Sequence, residues 1–162
     1  MYVNDHPLAL NLDIDRVRSL LGQWQDHPQE SGLLARAVAL AAARTHLTSG
    51  YDVVIPQYLG RAQFLEQAER LAVETGARFD EIVLLDSKEN SLHWFSERSR
   101  AAADPAHVEA QEMLDRGGGR EELSQMYERL LTVVASRPSA KIVQAQGGQV
   151  VATYRVFVNN LS

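Results

Sequence analysis

With 162 residues, 45% of them apolar and 23% charged, the chain is long and apolar enough to bury one sizeable core. A formal net charge of -5 gives no support for a chain-wide electrostatic grip on nucleic acid or on an anionic membrane, although local arginine clusters could still hold one phosphate. The lack of cysteine excludes disulfides and thiolate metal sites, and neither a leader-like N-terminus nor a membrane-length apolar run is present, so a cytoplasmic protein is expected.

In chain order, residues 8–12 (LALNL) form the first short apolar run, bounded by turn residues, and read as a strand. The run LDIDRVR that overlaps its end places Asp15 at a strand-to-helix turn, with Arg18 one helical turn further on. Residues 32–49 (GLLARAVALAAARTHLTS) are rich in Ala and Leu at helical spacing and stop at Gly50, a common residue just past a helix end. Upstream, Pro28-Gln29-Glu30 resembles a helix start.

A second apolar run, 52–55 (DVVI), leads through Pro56, Gln57, Tyr58, Leu59, Gly60 and Arg61 into a helix over 62–75. In that helix Phe64, Leu65, Ala68, Leu71 and Ala72 share a face, and Gly76 is the stop. The third and fourth runs are 81–85 (EIVLL) and 141–144 (KIVQ). Helical segments are expected over 91–101, 108–116, 121–136 and 150–161. Runs apolar on both faces, alternating with helices, predict a parallel sheet covered on both sides, in one domain spanning 1–162. Ligands of such folds sit where strand carboxyl ends meet helix N-termini.

Asp15 admits two readings: a general base that takes a proton from an acceptor hydroxyl, with Arg18 holding the acceptor or a phosphoryl group, or a helix N-cap beside a surface arginine. Gln57 and Arg61 either contact substrate or belong to an ordinary loop turned by Pro56 and Gly60. The five histidines show no zinc spacing, no GxSxG elbow is present, and no metal ligands are assigned.

The segments LDIDRVRSLLG, HLTSGYDVVIPQYLGRAQFLEQ, GARFDEIVLLDSKENSLHWFSERSR and RPSAKIVQAQGG together resemble the P-loop kinase group of chloramphenicol phosphotransferases, zeta toxins and polynucleotide 5′-kinases, over nearly the whole chain. The resemblance implies a three-layer α/β fold with a parallel sheet flanked by helices. It implies Asp15 as catalytic base and Arg18 as a substrate contact. It also implies that SLHWFSERSR begins a mobile lid, with Arg98, and secondarily Arg100, closing over nucleotide phosphates to stabilise the charge of phosphoryl transfer. Taken alone, the same arginines read as solvated charges on a helix. Gln57 and Arg61 would line the acceptor site, and the surroundings of Arg137-Pro138-Ser139 and Gln146-Gly147-Gly148 would seat the adenine.

ATP and Mg²⁺ are the cofactors of that group, and a small-molecule or nucleotide ligand is the expected partner. The defining loop, GxxxxGK[ST], is absent from this sequence: the only lysines are Lys88, after Ser87, and Lys141, after Ala140. The expectation is therefore a domain lacking the family's first strand and loop, inactive as a kinase. Met1 would be an internal start, an artificial boundary or a genuine truncation. In relatives the missing strand lies between those matching 52–55 and 81–85, so its loss would either join these two or leave unpaired edges open to self-association. A non-enzymatic binding or oligomer-forming protein is the rival reading.

Overall fold

The computed structural model describes residues 1–58, 60, 62–101, 119–145 and 148–161, with the side chains of 96 and 98–101 excluded. These residues fall into two compact units, Met1–Phe79 and Asp80–Ser162. The expected helix over 108–116 lies outside the described residues.

The first unit runs α1 (Tyr2–Asp5), β1 (Leu10–Asn11), α2 (Ile14–Ser19), α3 (Pro28–Thr48), β2 (Val53–Val54) and α4 (Ala62–Thr75). Strands β1 and β2 pair in parallel, Leu10 opposite Val53 and Asn11 opposite Val54. Hydrogen bonds from the Leu10 amide to the Asp52 carbonyl and from the Leu12 amide to the Val54 carbonyl, both 2.8 Å, extend the ladder by a residue at each end. Both strands are shorter than the apolar runs that contain them. Leu8 turns the chain with φ 63 before β1, Asp13 begins a helix after it, and Pro56, which has no amide hydrogen to donate to a ladder, follows β2.

Helix α3 starts four residues before the Ala- and Leu-rich run, at the Pro28-Gln29-Glu30 that reads as a helix start, because Pro28 occupies its first turn, where a missing amide costs no hydrogen bond. Ser31, Ala35, Ala39 and Ala43, four residues apart, form its buried stripe. Small side chains there allow close approach by the neighbouring elements. Leu12, Ile14, Phe64 and Leu71 complete the buried cluster, with Val17, Leu40, Val53 and Ile55 packed partly buried around it. At about 25 cal/mol per Å² of apolar surface, this cluster is the main source of stability in the unit.

The second unit runs β3 (Ile82–Leu85), α5 (Lys88–Ala101), α6 (Arg120–Ala135), β4 (Lys141–Gln144) and α7 (Val150–Asn159). Strands β3 and β4 pair in parallel over four residues, from Ile82 opposite Lys141 to Leu85 opposite Gln144. Among the described residues the strands pair as two two-stranded parallel sheets, one in each unit, where the sequence suggested a single one. Apolar burial is sparse here: Val143, 1% exposed, is the one buried side chain among the unit's described residues, while Leu84 and Ile142 are 55% and 53% exposed.

Polar contacts secure the start of this second sheet. Arg137 pairs with Glu81 in a setting where the two side chains are only 11% and 9% exposed. The Lys141 ammonium donates to Asp80 at 3.0 Å and to the Asn160 carbonyl at 2.6 Å, tying β4 to the end of α7. Loss of one partner of the Arg137–Glu81 pair would strand a largely desolvated charge.

Candidate functional site at the strand ends

The Leu12 amide still bonds to the Val54 carbonyl, so the chain leaves the sheet only at Asp13. Asp13 is consequently the N-cap of α2: its Oδ1 accepts from the amides of Asp15 at 3.0 Å and Arg16 at 3.4 Å. Leu12 and Ile14, on either side, point into the core at 6% and 4% exposure. Asp15 is then the second helical residue, exposed, with its carboxylate free of capping duty.

Gln57 follows β2, the parallel neighbour of β1, so the pairing brings the two residues to adjacent strand ends. The Gln57 Nε2 donates to Asp15 Oδ2 at 3.4 Å, a long contact. The other amide atom, Oε1, is buried and has no hydrogen-bond partner among the described residues. Such an acceptor costs about 1–3 kcal/mol. Turning the amide over would bring Oε1 against the Asp15 carboxylate, so the observed orientation is the better of the two.

Arg18 is turned toward the start of α3. Its Nε donates to Ser31 Oγ and its Nη2 to the Pro28 carbonyl, both at 3.0 Å, and its guanidinium carbon lies 4.8 Å from the centroid of the Trp24 ring. The Ser31 hydroxyl donates in turn to the Trp24 carbonyl at 3.0 Å. This network fastens the end of α2, the 20–27 connection and the first turn of α3 to one another. Hydrogen bonds and cation–π attraction both contribute.

The structure thus brings Asp15 and Gln57 together and gives Arg18 a bracing position. Arg61 lies outside the described residues, as do the side chains of Arg98 and Arg100, whose backbone belongs to α5.

A second strand-end carboxylate escaped the sequence reading. Asp86 follows β3, and its Oδ1 accepts from the Ser87 amide at 2.7 Å and from Asn90 Nδ2 at 2.9 Å. Ser87 Oγ accepts from the Asn90 amide at 3.1 Å, and the Tyr127 hydroxyl donates to the Asp86 carbonyl at 2.7 Å. Burial, with the charges of Glu89, Asp86 and Glu128 behind it, pushes the Tyr127 hydroxyl above its ordinary pKa. Beside it, the hydrogen bond from Lys88 to Glu128 at 2.8 Å raises the lysine pKa. The signal for Asp86 was present in the sequence: IVLLD, like LALNLD, is an apolar run that ends on an acid.

A groove of about 350 Å³ opens between α3 and α4, crossed by the Arg44–Glu74 ion pair, and none of its lining residues comes from the strand ends. Among the described residues no group of three or more His, Cys, Asp or Glu side chains could hold a metal ion. No helix among them is long and apolar enough to cross a membrane.

Comparison with known proteins finds no family model, no curated relative and no solved structure that matches this chain.

Proposed function

We propose that this chain is a P-loop-kinase-like protein related to ATP-dependent phosphotransferases, with Asp15 as the residual proton acceptor for an acceptor hydroxyl. One observation carries the reading. Asp13 performs the capping of α2, which leaves the Asp15 carboxylate exposed at the carboxyl end of a parallel strand and in contact with Gln57. The parallel pairing of β1 with β2 and of β3 with β4 supports the same reading, as do the helices that follow each strand. A three-layer arrangement, a cytoplasmic location and lid roles for Arg98 and Arg100 belong to the proposal through the resemblance.

The sequence contains no GxxxxGK[ST] phosphate-binding loop, so tight binding of Mg²⁺-ATP is not expected of this chain. The chain by itself is expected to transfer no phosphate. Thermal unfolding tests the proposal, because a ligand that binds only the folded state raises its stability. Melting is followed with millimolar Mg²⁺-ATP and, separately, with nucleosides, sugars and hydroxylated antibiotics. An unchanged melting temperature with Mg²⁺-ATP, together with a rise for one acceptor that disappears in Asp15→Asn, is the expected result. Phosphate transfer by the wild type, lost in Asp15→Asn, would overturn the inactivity. No rise with any acceptor would remove the acceptor-site reading.

A second reading, a binding or self-associating protein without catalysis, is favoured by the sheet of the second unit. Strand β3 pairs only with β4 among the described residues, and Leu84 and Ile142 are each more than half exposed, at 55% and 53%. Sedimentation over a hundredfold range of concentration separates the two ideas. A strict monomer throughout would eliminate self-association.

A further inference from the structure

We draw no further inference here: the strongest candidate, the edge of strand β3 that is unpaired among the described residues together with the exposed Leu84 and Ile142 side chains of its two-stranded sheet, carries nothing, because nothing in the structure shows what covers it.

Discussion

The Gln57 side-chain amide donates to the Asp15 carboxylate across 3.4 Å, linking residues that are 42 apart in the chain and that follow adjacent parallel strands. The contact places a carboxylate with one occupied oxygen beside a buried amide oxygen that has no partner among the described residues. Polar groups arranged at some cost to stability are a feature of ligand sites more than of cores.

Gln57→Met removes the unpaired acceptor while retaining much of the side-chain volume. The loss of a long hydrogen bond to an exposed carboxylate is the smaller effect. The variant is expected to be more stable by about 1 kcal/mol, read as a higher urea midpoint with an unchanged slope. A midpoint lowered by a similar amount would mean that Oε1 is satisfied in the folded protein.

The two aspartates of LDID should respond differently to truncation. Asp13→Ala removes the α2 cap and is expected to cost about 1 kcal/mol. Asp15→Ala should stay within about 0.5 kcal/mol of wild type, as a surface substitution does. Urea unfolding of both variants at neutral pH decides the matter, and equal losses would contradict the cap assignment.

Arg18→Lys is not a conservative change, because an ammonium cannot reproduce the fork that reaches Ser31 Oγ and the Pro28 carbonyl beside the Trp24 ring. A loss of about 1–3 kcal/mol is expected. It should be accompanied by a shift of Trp24 emission, measured in a Trp94→Phe background. An unmoved emission band would show that the guanidinium does not pack on Trp24 in solution.

The raised pKa of Tyr127 makes an alkaline prediction with a definite sign. The folded state holds the phenol proton more tightly than the unfolded state, so the associated stability is fully present below the unfolded value of about 10 and is lost as pH rises through the folded value. Tyr127→Phe gives up the hydrogen bond to the Asp86 carbonyl and should be less stable at pH 8. The same variant should lose less stability than wild type between pH 8 and 11. Parallel losses in the two proteins would exclude Tyr127 as the group responsible.

Much of the local structure was legible in the sequence. The helix expected over 62–75 is α4 itself, the run KIVQ is β4, and α6 begins and ends one residue earlier than its pattern suggested. Amphipathic spacing and glycine stops act within a few turns of chain, so they can be read without knowing the fold. Gly50 and Gly76, with φ of +85 and +69, adopt the left-handed conformation their place at helix ends calls for. The early start of α3 was harder to see. Pro28-Gln29-Glu30 reads as a helix start, but the polar residues that follow break the Ala/Leu pattern, and the fold shows Ser31 buried against Arg18 and the Trp24 carbonyl.

The candidate site was legible in part, and its ambiguity was physical. Both acids of LDID suit a helix N-cap, and the choice rests on where the strand stops. That point is set by the Leu12 amide finding the Val54 carbonyl, a partner 42 residues away. Asp86 could have been noticed from its place after an apolar run. Its hydrogen bonds to Asn90 and its contact with Tyr127 required the fold.

The sequence by itself determined the alternation of short apolar runs with helices, the lack of a phosphate-binding loop and the lack of thiol chemistry, since each depends only on residue type and short-range spacing. The tertiary structure alone decided that the described strands pair two by two, that Asp13 caps α2 and leaves the Asp15 carboxylate to Gln57, and that Arg18 braces α3. Those outcomes depend on hydrogen bonds and packing between segments distant in the chain, whose geometry no local pattern encodes.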